Sequence, residues 1–350
     1  MIDPHVHLRD WDQKEKETIE HGLSVASSIG ITTVFDMPNT QPPLTFASDI
    51  VKRIEYGTEI AGRIDPRISY CVYGGVTADP SQIELVVSVH SHLFPRLVGL
   101  KMFAGHSTGN MGIVSRSSQR EVYRTLKRTG YKGVLAVHCE DETLLRPDLF
   151  RPDDPFSHTQ ARPKEAEIAS VESQIELVRS SAFEGTVHIC HISTREAIEL
   201  VNYHKSRGMA VTCGATAHHA LLDESVMLSE GLFAKMNPPL RKSDDVKAVF
   251  DGLMDGSIDW IESDHAPHTV KDKMEGASGI PGFYGTLLLI ERLRKAGVSE
   301  MRLDRLCGEA VNEAFSTSFE VNVPSSFIIS REIDRIGNEY EFNPFLSIDG

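Results

Sequence analysis

Two apolar runs that each end in histidine decide the fold: Gly133-Val-Leu-Ala-Val-His138 and Thr186-Val-His-Ile-Cys-His191, separated by a helical pattern over 163–183. Each run is short and rich in β-branched residues, as a buried strand is. A strand, a helix of this length and a second strand make a parallel crossover. Working outward from that unit, further strand candidates lie at 2–7, 31–37, 67–74, 96–103, 209–213 and 257–263. Helical patterns fall between the strands at 14–29, 46–60, 80–92, 117–129, 194–207 and 243–255, and two more, 285–296 and 303–315, follow the last. Eight alternations predict an α/β chain closed into a (β/α)₈ TIM-like barrel over residues 1–315. A doubly wound open sheet would show the same alternation, but no glycine-rich phosphate fingerprint follows the first strand. Residues 316–350 read as a tail with short strands at 320–330 and 339–345, a small β remnant outside the barrel.

Composition narrows the partners. A formal charge of -14 repels phosphate backbones and anionic lipid, so the expected partner is a small molecule, with neither nucleic acid nor membrane. An anionic substrate would then need a local positive cluster, which metal ions can supply. The five cysteines are odd in number, widely spaced and without a CxxC pair. With no secretory signal in the opening residues, this predicts a reducing, cytoplasmic setting. No apolar run reaches membrane-spanning length.

In a barrel the C-terminal strand ends and their loops carry the chemistry. His5 and His7 are two apart on the first strand and face one point, where neutral imidazoles could bind zinc; the alternative is a pair of solvated histidines. His138 and His191 close consecutive strands. Taken singly, each could be a structural histidine, and their joint placement favours ligands. Lys101 ends an apolar strand at a desolvation cost; a buried ion pair, a snorkelling side chain or reaction with CO₂ to a metal-bridging carbamate would each explain it. Asp264 follows the last strand and could bind metal and move a proton, or cap a helix. Cys139 and Cys190 flank ligand positions, and alternation turns them away, toward packing. His218 and His219 read as structural or supporting residues.

At this point the residues resemble a family. HxH on strand one, lysine on strand four, histidines on strands five and six and aspartate on strand eight resemble the amidohydrolase superfamily. The local segments are similar to dihydroorotases: Asp3-Pro-His-Val-His-Leu-Arg-Asp10, Met37-Pro-Asn-Thr40, Gly99-Leu-Lys-Met-Phe103, Val137-His-Cys-Glu-Asp141, His191-Ile-Ser-Thr194, Asn237-Pro-Pro-Leu-Arg241 and Ser263-Asp-His-Ala-Pro-His268. The resemblance implies two Zn²⁺ per chain, the more buried held by His5, His7 and Asp264 and the second by His138 and His191. Carbamylated Lys101 and a hydroxide would bridge them. It implies reversible cyclisation of N-carbamoyl-L-aspartate to L-dihydroorotate, a step of pyrimidine synthesis, with Asp264 as acid and base. Arg9, Asn39 and His268 would hold the substrate carboxylate, and backbone near Ala266 and Gly282 the ring amides. Ser107 and Thr108 fall in a glycine-rich loop, 105–112, that either contacts substrate or is an ordinary connection. A homodimer is implied, as is the association with aspartate transcarbamoylase found in some members.

The chain also departs from the family wording. Strand one begins at residue 2, without the segment that forms half of a small β-sandwich in longer relatives. Gly214-Ala-Thr-Ala-His-His219 stands where many relatives carry an acid before the histidine pair, and Pro281-Gly-Phe-Tyr-Gly285 differs from the usual wording. Allantoinase or a dihydropyrimidinase-like hydrolase is the nearest alternative, and Arg9 discriminates, because substrates without a carboxylate need no guanidinium there.

Overall fold

The computed structural model of the chain describes residues 1–107, 111–154 and 156–348. Eight strands form one parallel sheet in sequence order: β1 (Ile2–Val6), β2 (Thr33–Asp36), β3 (Ser69–Gly75), β4 (Leu97–Phe103), β5 (Val134–His138), β6 (Thr186–Ile189), β7 (Val211–Ala215) and β8 (Trp260–Ile261). The last edge meets the first where His7 N donates to His265 O at 2.8 Å, which brings the sheet round into a barrel. Helices α1 (Ile19–Ser28), α2 (Ala47–Ile64), α3 (Pro80–Leu93), α4 (Arg116–Arg128), α5 (Lys164–Ser181), α6 (Arg195–Lys205), α7 (Ser243–Asp255) and α8 (Phe283–Lys295) follow successive strands. Several begin on side-chain caps: Thr18, Asp79 and Ser115 each accept a backbone N–H of the first turn. Among the described residues no helix is long and apolar enough to cross a membrane.

Strand alternation sorts the core into two shells. Val72, Leu100, Leu135, Val137 and Ile189 face outward, under the helices. Phe35, Tyr73, Val134, Ala136 and Trp260 face inward, where Phe315 closes the base, its ring 5.2 Å from Phe35 and 6.1 Å from both Tyr73 and Trp260. This inner packing makes the barrel a filled core with one usable end.

β1 is irregular in a useful way. Ile2 pairs with Thr33 and Asp3 with Val34, but Val6 pairs with Asp36, so the strand carries one extra residue between Asp3 and Val6. Bulges of this kind re-aim side chains. Ile2 packs inside the base, yet above the bulge it is His5 and His7, of opposite parity, that point inward.

The tail corrects an expectation. Neither 320–330 nor 339–345 forms a strand; instead α9 (Ser326–Gly337) is capped by Ser325, and a 3₁₀ turn, Pro344–Ile348, follows. Ile329, Ile333 and Ile336 recur at helical spacing and turn one stripe onto the barrel, so period prevails over β-branched composition. Phe319 and Val321, at the start of the tail, pack against the cluster at the base of the barrel. Phe345 is fully buried, and the Tyr340 hydroxyl donates to Glu17 Oε1 at 2.8 Å.

Candidate active site

The upper ends of the strands deliver the expected residues to one cavity. Its walls include His5, His7, Arg9, Asn39, Lys101, Ser107, His138, His191, Asp264 and Ala266. Asp264 Oδ1 stands 3.3 Å from His5 Nε2 and 3.0 Å from His7 Nε2, so three donors converge from both ends of the barrel sequence. On the opposite side His138 Nδ1 and His191 Nε2 are 3.1 Å apart. The His5 and His191 rings, 5.2 Å between centroids, join the two halves. Lys101, fully buried, lies close enough to His5, His138 and His191 to oppose their charging.

The imidazoles are prepared for a cation. Burial pushes His7 down to about 4 and lowers His138 and His191, so all three are neutral at pH 7, the form that binds metal. His5 differs: burial opposes its charge, but Cys190 and Glu262 lift it to about 10. Burial works against ionisation of Asp264 too, yet the bond from His7 and the charges of His5 and His7 hold it well below the carboxylate range. Among the described residues His191 Nδ1 is buried without a hydrogen-bond partner, while His5 Nδ1 has the Glu262 carboxylate 3.5 Å away and turns Nε2 to Asp264. A buried nitrogen without a partner, beside neutral imidazoles and an ionised carboxylate, fits a divalent cation such as zinc. The donors of His5, His7 and Asp264 lie within 4.8 Å of one another, as do those of His5, Cys190 and Glu262.

Supporting contacts fix the rings. His7 Nδ1 is 2.8 Å from Asn39 Oδ1, so Asn39 orients that ring as well as lining the cavity. His138 Nε2 meets Glu140 Oε2 at 2.8 Å, and Arg162 Nε donates to Glu140 at 3.0 Å. Arg9 is buried, donates through Nε to Pro267 O at 3.1 Å and lies 3.0 Å from His268 Nε2. Among the described residues no carboxylate forms an ion pair with it. Its charge is therefore free for an anion in the cavity.

Other expectations fare differently. Gly282 does not line the cavity: its N–H donates to His265 Nδ1 at 3.1 Å. Thr108 lies outside the described residues. The helix-capping alternative for Asp264 is taken by Thr269, which forms a capping box with Asp272. His219 is held between Thr216 and Pro238 O, a structural role, while His218 is buried with neither ring nitrogen partnered. Cys190 requires a correction: it faces inward, and Lys101 Nζ donates to its Sγ at 3.0 Å. Strict alternation fails because β6 ends at Ile189 and His191 takes φ 37°, so both residues turn to the interior. Glu140, Glu262, Asn237 and Ser278 were missed. The two glutamates each stand two residues from a ligand, and that parity was the available signal.

Barrel and mouth together make the chain a cyclic amidohydrolase. The dihydroorotase of Brevibacillus brevis is 32% identical over 343 residues, which is 94% of this chain and 76% of that one. The dihydroorotase of Methanosarcina mazei is 32% identical over 308 residues, 84% of this chain and 64% of its own length. The chain belongs to the dihydroorotase family. Among solved structures, an L-hydantoinase from Arthrobacter aurescens superposes with TM-score 0.78 at 23% identity, covering 93% of this chain and 73% of that one. The Saccharomyces cerevisiae dihydroorotase in complex with 5-fluoroorotic acid gives 0.72 at 17%, covering 91% and 84%. These likenesses bear on the barrel alone. No family model matches the chain.

Proposed function

We propose that the protein interconverts N-carbamoyl-L-aspartate and L-dihydroorotate at this cavity, as a step in pyrimidine synthesis. The observation that carries the reading is Arg9, a buried guanidinium beside the convergent imidazoles that has no carboxylate partner among the described residues. Its planar fork suits the carboxylate of dihydroorotate. Allantoin and hydantoin offer no such group.

His5, His7 and Asp264 would hold the more buried of two zinc ions, and His138 and His191 the second. Lys101, as its carbamate, would lie between them and leave Cys190. Such a pair of cations supplies a polarised carbonyl and a water acidified toward neutral pH. The chain's own residues do the rest. Arg9 and His268 seat the carboxylate, which sets the ring amide against the imidazole cluster. Asp264 Oδ1 takes the proton of the attacking water and returns it to the leaving amide nitrogen, and ring closure runs the same transfers in reverse. Asn39 keeps the His7 ring from rotating, and Ala266 backbone groups face the ring amides. A homodimer, association with aspartate transcarbamoylase and a cytoplasmic setting belong to the same reading and rest on the family resemblance. The test is hydrolysis of dihydroorotate beside allantoin and hydantoin by the zinc-loaded chain. Turnover of dihydroorotate at least a hundredfold above the other two is expected, and preference for hydantoin would reverse the assignment.

A further inference from the structure

Beneath the mouth lies a carboxylate that the reaction does not use. Glu262 is 1% exposed, inside the barrel on the chain leaving β8. A buried carboxylate carries a desolvation cost of several kcal/mol unless its oxygens are fully engaged. Here they are. Oε2 lies 3.0 Å from His188 Nε2 and accepts from Trp260 Nε1 at 3.4 Å. The His188 ring is itself pinned, with Nδ1 3.1 Å from Thr212 Oγ1 and its face stacked 4.4 Å from Trp260. Oε1 accepts the backbone N–H of His191 and stands 3.5 Å from His5 Nδ1. One oxygen thus touches a ligand of each proposed cation site.

The neighbouring strand makes room for this arrangement. A Cβ on Gly214 would come within 2.5 Å of Glu262 Oε2, so β7 carries glycine where a side chain would expel the carboxylate. His5 is left between two acids, with Nε2 toward Asp264 at 3.3 Å and Nδ1 toward Glu262. Rotating the ring would break both approaches. Carboxylate–imidazole–metal relays of this form fix ring orientation and raise ligand basicity.

We propose that Glu262 is a positioning residue that sets the affinity of the deeper cation site, holding His5 by its Nδ1 while anchored through His188 and Trp260. The inference rests on the metal reading above. Zinc is titrated into metal-stripped chain against a chromophoric chelator, for wild type and Glu262→Gln, with melting temperatures of stripped and loaded forms measured in parallel. The tighter zinc affinity should fall roughly 10–100-fold in the variant. The stripped form should melt close to wild type, and the gain on zinc addition should shrink. A purely structural role predicts the opposite: both forms melt lower by the same amount and zinc affinity stays within twofold, which overturns the proposal. If the single variant does not fold, Glu262→Gln with His188→Gln removes the buried charges together, and the same titration decides. Wild type that binds no zinc would defeat both the metal reading and the proposal; tight binding by wild type and variant alike defeats only the role of Glu262.

Discussion

Replacing Arg9 by alanine tests the substrate assignment most directly. The guanidinium is buried, its Nε is occupied by Pro267 O, and it lies 3.0 Å from His268 Nε2, leaving the far edge of the fork for an anion. Two charge-assisted hydrogen bonds to a carboxylate contribute about 1.5–2 kcal/mol each. Losing both weakens transition-state binding by about 3–4 kcal/mol, roughly 10²–10³-fold in kcat/KM. Arg9→Lys keeps the charge but not the fork and should lose about tenfold less. The assay is steady-state hydrolysis of dihydroorotate, with zinc content measured on the same preparation and dihydrouracil, which lacks the carboxylate, as a second substrate. Zinc content should be unchanged, and any activity on dihydrouracil should be reduced far less than that on dihydroorotate. An unaltered KM for dihydroorotate in Arg9→Ala, or an equal loss on both substrates, would refute the reasoning.

Three further outcomes are expected. Lys101→Ala should lose at least one zinc per chain, read by elemental analysis, and two retained zincs would contradict a bridging role. Phe315→Ala opens the base of the barrel between Phe35, Tyr73 and Trp260 and should cost about 3–5 kcal/mol of stability, read by denaturant unfolding of the zinc-free chain, with the zinc ligands untouched. His158, pressed by burial down to about 3 and bonded to Met236 O, is neutral in the fold but charges below 6.5 when unfolded. The unfolded chain therefore binds more protons between those values, so this contribution is complete above pH 6.5 and is lost as pH falls toward 3. His158→Gln should flatten the acid side of the melting-temperature profile, and an unchanged slope would exclude the contribution.

The barrel was legible because its signals are local and repeated: apolar runs of strand length alternate with amphipathic helices, and the ends of the runs carry the polar exceptions. The convergence of His5, His7, His138, His191 and Asp264 was expected from strand parity, but it is reached because the bulge in β1 and the left-handed backbone at His191 and Asp264 turn those side chains inward. What was not legible depends on single backbone irregularities. The bulge in β1 decides which parity faces inward, and the left-handed turn at His191 brings that ring to the interior beside Cys190, which shares the parity of His188. Neither leaves a compositional trace. The tail was misread because isoleucines at 328–336 suit a strand by composition, whereas a surface on which to lay a helical stripe exists only once the barrel has formed. Glu262 escaped notice because an acid two residues from Asp264 reads as solvated until its burial is known.

The extra residue in β1 divides that strand between two duties. Below it, Ile2 belongs to the hydrophobic filling; above it, His5 and His7 belong to chemistry. Deleting a single residue between them would leave the strand able to pair with β2 while swinging both imidazoles out under the helices. A chain altered in that way would keep its shape and disperse the imidazole cluster in one step, so the cavity is poised on a length of backbone rather than on the identity of any one side chain.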